Sequence, residues 1–588
     1  MSILSQPNTH IIDQLEYAYS EGIIPLSSLE FAHFIHGLFP DIDEQVLLAG
    51  FLAFHVTLNG DTHLDIRNAS EQIRRDEGLV FIELPETEQW LSSLENSQAI
   101  VQPGEQGILL LEEGAYLYLH KHWKFEQKIA QWIKERTNSY TDLSSSEESI
   151  VNELAISGNQ EQRDALIRSF SSSFSMISGG PGTGKTHTVF NILLAHIRNT
   201  LQLESHPLRI AVCAPTGKAA ARLMEALTVN ESYSKLSEQE LEVFPAKSHT
   251  IHKLLGVKSD GASTYNEANK LPYDLIVLDE ASMIDVGLMY RFIEAVSTTC
   301  RVLLLGDKDQ LASVEAGAVF GDLCKKDEQV VKGEDVNSAF DYITFLHHSY
   351  RFKEDSSIKQ VADCIINERM EELGKLISEQ SDIYQEWGGE VNAAYLFEQY
   401  IKPHVEIYKS KATLSETLDA FLEFKLLAPL RKGNAGVDTL NAYFEGRLKK
   451  KYSIDVSQEW YQGRPILITK NDASLRVQNG DTGICYIQNG EPYVYFSSTK
   501  EEGLSIQAER LEHYELAFVS TVHKSQGSEH KKVLLLLPNK ENPIISKQLL
   551  YTAVTRARES ILIVGRREVL LNSLQNNVER ITGLSRKL

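Results

Sequence analysis

The octet Gly179-Gly180-Pro181-Gly182-Thr183-Gly184-Lys185-Thr186 constrains this chain more than any other feature. It follows an apolar, strand-like run, Phe174 to Ile177, and opens a stretch that reads as a helix. In that setting the glycines let backbone N–H groups wrap a β-phosphate. Lys185 neutralises the β and γ oxygens, and the Thr186 hydroxyl is placed to hold Mg²⁺ at the positive end of a helix dipole. A nucleoside triphosphate with Mg²⁺ is the expected ligand.

The chain has 588 residues, enough for about four domain-sized units. Its 58 Lys+Arg stand against 81 Asp+Glu, a net charge of −23, so general polyanion binding has no support and any nucleic-acid contact requires a local basic track. Five cysteines (Cys213, Cys300, Cys324, Cys364, Cys485) form no CxxC pair, which excludes a written zinc or iron–sulfur site and fits reduced, buried thiols. With no basic, apolar leader and no run of about 18 apolar residues, a soluble, cytoplasmic protein is expected, with no membrane partner.

Residues 1–115 carry amphipathic stretches, such as Ile11 to Tyr19 and Glu44 to Leu58, and read as a mainly helical docking domain. Residues 116–149 read as a linker helix, His122 to Arg136, followed by a polar linker. From 150 to 345, apolar runs (Met176 to Ser178, Arg209 to Ala214, Leu275 to Leu278, Arg301 to Leu305) alternate with helical ones, which predicts a parallel sheet flanked by helices. Residues 346–588 repeat the style with Lys425 to Pro429, Lys532 to Leu537 and Ile561 to Val564. The fold class is therefore α/β with two nucleotide-domain-like lobes. Inside the second, residues 460–515 break the rhythm with short strands and Asn-Gly turns at 479–480 and 489–490, as in a small inserted antiparallel barrel.

Asp279 and Glu280 end the run LIVLDE, which puts both carboxylates at the carboxyl edge of a strand facing the phosphates. There Asp279 can hold the metal, and Glu280 can orient and deprotonate the attacking water. Gln310, in GDKDQL after another strand, lies at the same edge and can sense a γ-phosphate. Positive charge at the transition state can come from the far lobe, with Arg351 in HHSYRF and Arg556 in YTAVTRAR as candidates. APTGKAAARL places Thr216 at a loop-to-helix junction suited to a nucleic-acid phosphate, with Lys218 and Arg222 adding charge.

The ordered set NQEQRDAL, GGPGTGKT, APTGKAAARL, TIHKLLG, LDEASMID, GDKDQLASVEAG, SYRF, VSTVHKSQGSE and YTAVTRAR resembles a superfamily 1 helicase over about 400 residues. The TGKAAAR, TVHKSQGSE and YTAVTRAR wording resembles the RecD group. The resemblance implies two RecA-like motor lobes with an SH3-like barrel, ATP as fuel, and movement 5′ to 3′ on single-stranded DNA entered from duplex ends. It assigns Gln162 to the adenine edge, and Lys185, Thr186, Asp279, Glu280, Gln310, Arg351 and Arg556 to the roles their chemistry suggests. It also places DNA-backbone contacts at Thr250, His252, Thr521, His523 and Lys524, and a strand-separating pin between Gly256 and Asp274, where clear alternation is lacking. Ser349 stands where the family often has Asn.

The short N-terminal region favours a subunit that works with RecB-like and RecC-like chains in a heterotrimer, where nuclease activity would belong to a partner. A stand-alone RecD-like helicase, an ATP-gated DNA-binding scaffold, an RNA helicase and a small-molecule kinase are the alternatives. DNA and RNA are not distinguished by these motifs, because both backbones offer phosphates.

Overall fold

The computed structural model describes residues 10–74, 79, 82–138, 141–155, 159–203, 206–258, 260–331, 342–352, 356–472, 474–497, 503–576 and 580–588, with backbone only for 326–331. At the N-terminal end, the helix Glu44–Leu58 is apolar nearly all round and lies at the centre of its own core, with Asp43 capping it through Gln45 N–H. Helices Ile11–Ser20, Leu26–Leu38 and Thr87–Glu95 pack in the same core. A four-stranded sheet completes this unit in the order His63–Asp65, Tyr116–Leu119, Leu109–Glu112, Ile100–Val101.

Two expectations at this boundary need correction. A division at residue 115 cuts between paired strands, since Tyr116–Leu119 is hydrogen-bonded on both sides. The stretch 116–149 is not a free linker either. The helix His120–Thr137 buries Ile129, Ala130 and Ile133 in the first lobe's core, and Phe125 stacks on Tyr290 at 4.5 Å. The serine-rich stretch that follows holds a capping box, Ser144 with Glu147, which starts the helix Ser145–Leu154.

The first lobe is a six-stranded parallel sheet in the order Ile343–Leu346, Phe174–Gly179, Arg301–Gly306, Leu275–Leu278, Ile210–Ala214, Ser248–Thr250. Its central strands are apolar on both faces because helices cover both. The second lobe is a five-stranded parallel sheet, Tyr384–Glu386, Ala557–Gly565, His530–Leu536, Phe424–Ala428, Val519–Thr521. Inserted into the second lobe, between Phe424–Ala428 and Val519–Thr521 in sequence, is a five-stranded antiparallel sheet, Leu504–Gln507, Glu491–Phe496, Thr482–Gln488, Pro465–Ile468, Tyr514–Leu516, with its own small core. Among the described residues its two outer strands do not pair with each other, so this sheet is not closed into a barrel by hydrogen bonds. Among the described residues of the Gly256 to Asp274 segment, a bridge pairs Val257 with Ser263, Lys258 N–H donates to the Ala262 carbonyl at 2.8 Å and Thr264 N–H to the Gly256 carbonyl at 3.1 Å, while residue 259 lies outside the described residues.

Residues 580–588 lace the N-terminal unit to the first lobe. Arg580 donates to Ser313 Oγ at 3.0 Å and to the Gly317 carbonyl at 2.9 Å, and Thr582 donates to Asp322 at 2.6 Å. On the other side, Ile581 N–H donates to Asp61 at 2.8 Å, and Lys587 Nζ meets Glu112 at 2.9 Å and Glu126 at 3.0 Å. Lys587, Glu112 and Glu126 are all largely withdrawn from solvent.

Replacing Lys587 with Met leaves the buried Glu126 carboxylate without its cation and Glu112 with Arg586 alone, at 3.7 Å, and is expected to cost about 3 kcal/mol of unfolding free energy. Urea unfolding measures this, and an unchanged midpoint would refute the strap. Burial pushes the Asp322 carboxyl up to about 7, against the hydrogen bond from Thr582. The folded chain thus keeps a proton that the unfolded chain releases near pH 4, so this group's contribution to stability falls as pH rises from about 4 to about 7. Asp322→Asn removes that dependence, and its thermal midpoint should gain on the wild type across this window.

Candidate nucleotide cleft and DNA-binding surface

Parallel strands end at one edge, and the loops leaving that edge in the first lobe carry the chemistry. The loop after Phe174–Gly179 leads into the helix Lys185–Gln202 through Gly182 and Gly184, both at positive φ (79° and 86°). A side chain at Gly182 would overlap Arg351, and one at Gly184 would lie 2.7 Å from Gln162 Nε2. Only glycine meets both the conformational and the spatial demand here. Tyr350 N–H donates to the Gly182 carbonyl at 2.8 Å, so the SYRF segment is bonded onto the loop. Thr183 turns its hydroxyl back to the Gly180 carbonyl, and the Lys185 ammonium donates to the carbonyls of Gly179 and Gly180.

A cavity of about 590 Å³ opens beside this loop, lined from the first lobe by Gly180, Pro181, Gly182, Gly184, Lys185, Thr186, Arg222, Asp279, Glu280 and Gln310. Arg351 enters from the edge strand of the same lobe, and Glu529, Arg556 and Arg558 enter from the second lobe. Glu280 holds a left-handed backbone (φ 51°), an unfavourable state for a side chain of its kind, and its N–H donates to Asp279 Oδ1 at 2.8 Å. Burial and the neighbouring Glu280 push the Asp279 carboxyl up. The site suits a triphosphate with a small hard cation. The loop leaves no room for side chains, a helix N-terminus faces it, and Thr186 and Asp279 offer a hydroxyl and a carboxylate oxygen to one cavity.

The two lobes touch through the loop after Arg301–Gly306. Asp307 accepts from Gln310 Nε2 at 2.9 Å and from Tyr551 Oη at 3.1 Å; Leu311 N–H donates to Thr552 Oγ1 at 2.9 Å. Gln526 reaches the Leu311 carbonyl at 3.1 Å. Arg556, 3% exposed, is spent largely on carbonyls, with Nε on Thr552 at 3.1 Å and one terminal nitrogen on Ser528 at 3.2 Å. Arg558 pairs with Glu529 instead.

The residues expected to meet DNA sort into two groups. Thr216, Thr250 and Thr521 close the ends of the strands Ile210–Ala214, Ser248–Thr250 and Val519–Thr521, accepting from Ala219, Lys253 and Lys524 N–H respectively. Each threonine thus caps the turn that follows its strand. Lys218 is half-buried by the inserted sheet; burial pulls its ammonium down to about 8, while Asp481 acts the other way. His252 is exposed, His523 is half-buried and Lys524 is held by Glu515 at 2.7 Å. Arg222 leaves this group, because its guanidinium lies in the nucleotide cavity on Glu529. The helix Gly217–Thr228 turns its capped end one way and Arg222, more than a turn later, toward the cleft.

Glu529, Arg558, Asp307 and Tyr551 were not singled out by sequence, although each lies within a quoted motif. Their ion pairs and hydrogen bonds join segments hundreds of residues apart or neighbouring motifs, and no spacing encodes them. Among the described residues no cluster of three or more His, Cys, Asp or Glu could hold a metal on its own, and all five cysteines are buried and free. No described helix is long and apolar enough to cross a membrane.

Three family models match along the chain: the N-terminal domain of the RecBCD enzyme subunit RecD over residues 20–118, an AAA domain over 162–316, and a UvrD-like helicase C-terminal domain over 516–564. With the paired sheets and the cleft between them, they define an ATP-dependent DNA helicase of superfamily 1. The RecBCD enzyme subunit RecD of Mycolicibacterium smegmatis is 33% identical over 93% of this chain and 94% of that protein. That of Haemophilus influenzae is 32% identical over 85% and 84%. An ATP-dependent RecD2 DNA helicase of Deinococcus radiodurans is 28% identical over 76% of this chain and 55% of its own length. The chain belongs to the RecD family of RecBCD enzyme subunits.

Tyr551→Phe removes the hydroxyl that joins the second lobe to Asp307. Its expected effect is an about tenfold lower kcat for ATP hydrolysis with KM little changed, the value of one hydrogen bond lost between the lobes. Steady-state kinetics with single-stranded DNA present decide this, and an unchanged kcat would sink it.

Proposed function

We propose that this chain is a 5′-to-3′ single-stranded DNA translocase, acting as the RecD-type subunit of a cytoplasmic heterotrimer with RecB-like and RecC-like chains that processes DNA ends in double-strand break repair and recombination. The observation that carries the motor reading is the cavity between the two parallel sheets, with carboxylates at the first sheet's strand ends and arginines arriving from the second. Hydrolysis needs both halves, so nucleotide occupancy is tied to lobe separation.

In this reading the loop Gly179 to Thr186 binds the phosphates and Gln162, packed on Gly184, reads the adenine edge. Lys185 leaves its carbonyl partners for the phosphate oxygens. Mg²⁺, when bound, neutralises phosphate charge, and Thr186 and Asp279 are the residues that would hold it. Glu280 orients the attacking water and takes its proton. Gln310 reports γ-phosphate to Asp307 and thence to Tyr551, while Arg351 and Arg556 supply positive charge as the bond breaks.

DNA would run along the capped strand ends at Thr216, Thr250 and Thr521, with Lys218, His252, His523 and Lys524 beside the backbone. The inserted sheet, residues 460–515, serves as the SH3-like element that closes over the strand; the contact of Gln478 with Gly217 supports this, since it brings the insert onto the Thr216 turn. The division into a docking unit, two motor lobes (150–345 and 346–588) and this insert follows from the same reading, with two shifts: the strand Tyr116–Leu119 joins the docking unit, and the whole edge strand Ile343–Leu346 with the Arg351 segment joins the first lobe.

Unwinding of matched duplexes with a 5′ or a 3′ single-stranded tail tests the proposal, with Lys185→Gln as control. Unwinding from the 5′ tail, lost in the variant, is expected; unwinding from the 3′ tail alone would overturn the polarity.

A further inference from the structure

Glu529 lies at the end of the quoted motif VSTVHKSQGSE, yet the motor scheme gives it no task. Its side chain is 8% exposed and meets three guanidinium groups. Oε1 accepts from Arg351 at 2.7 Å, and Oε2 accepts from Arg558 Nε at 2.8 Å and from Arg222. The backbone of Glu529 precedes the strand His530–Leu536 of the second lobe, as Arg558 belongs to the strand Ala557–Gly565 of that lobe. Arg222 belongs to the first lobe's helix Gly217–Thr228, and Arg351 follows the first lobe's edge strand Ile343–Leu346. One carboxylate therefore bridges the lobes inside the cavity that Lys185, Asp279 and Gln310 also line.

Three like charges at one place repel, and a single anion offsets only one of them. The cluster keeps a surplus of positive charge for a further anion, and a terminal phosphate has the charge and the acceptor geometry that guanidinium groups prefer. Burial pushes the Glu529 carboxyl up, but the arginines outweigh it and hold the group at about 2. Glu529 is therefore charged at any working pH, and only a competing anion can displace it from its partners.

We propose that Glu529 is a positioning residue that holds Arg351 and Arg222 in reserve for the γ-phosphate. Carboxylate and phosphate compete for the same guanidinium groups, so ATP binding draws Arg351 from Glu529, and phosphate departure lets it return. The lobe-to-lobe ion bridge and the nucleotide are then alternative occupants of the same cations. This role rests on the ATP-motor reading above and adds to it a reason for the arginines to let go of product.

Equilibrium titration of the full chain with ADP and with a non-hydrolysable ATP analogue tests this, alongside hydrolysis stimulated by single-stranded DNA. Glu529→Gln should tighten the analogue about tenfold, the value of one charge-assisted hydrogen bond no longer contested, and leave ADP within about twofold. Both kcat and KM for ATP should fall, because product keeps the arginines. Glu529→Asp keeps the charge but cannot reach all three partners, so the same signs at smaller size are expected; it carries the test if the glutamine variant does not fold. Equal weakening of ADP and analogue would mark a merely structural residue and overturn the proposal, as would no change in either. A wild-type chain that binds neither nucleotide would overturn the motor reading itself, and this role with it.

Discussion

The polar contact between the loop Asp307 to Leu311 and the helix Lys547–Val554 sets how the two parallel sheets face each other. Each sheet has its own core, and Leu311 and Phe352 from the first lobe's loops pack against that of the second. Bound through Asp307, Leu311, Tyr551 and Thr552, the sheets present their carboxyl edges across one cavity. The joint mixes these hydrogen bonds with the Glu529 ion bridge and the packing of Leu311. Asp307 sits at its centre, accepting at one carboxylate oxygen from a residue of each lobe, Gln310 and Tyr551.

The arginines follow from that joint. Arg556 is fixed inside the second lobe by its carbonyl partners, so its position changes only when the lobe moves as a body. Arg351 and Arg222 are held by a carboxylate across the gap and respond to separation directly. A chain with net charge −23 can nevertheless gather such a cationic site, because the Glu529 carboxylate, buried among the three arginines, offsets part of their mutual repulsion.

Much of this was legible in the sequence. Apolar runs of four to six residues ending in glycine or acidic residues marked the parallel strands, because strands covered on both faces cannot alternate. The phosphate loop was legible because its glycines answer a local backbone demand. What stayed hidden depends on partners remote in the chain. Tyr116–Leu119 becomes a central strand only by pairing with His63–Asp65 as well as its neighbour. The polar run before Ser145 resembled a linker because a capping box and a disordered tract share composition. Arg222 looked like a DNA contact from its motif, and only the position of Glu529 shows that it turns into the cleft.

The strap at residues 580–588 bears on how the chain is made. Thr62 N–H is bonded to the Ile581 carbonyl, a contact spanning 519 residues. During synthesis the N-terminal unit and the first lobe emerge and collapse long before the segment that laces them together. Until Arg580 and Lys587 leave the ribosome, Glu126 and the carbonyls around Gly317 wait without these partners. Final locking of the two units is therefore a late event, imposed by topology rather than by the stability of either part.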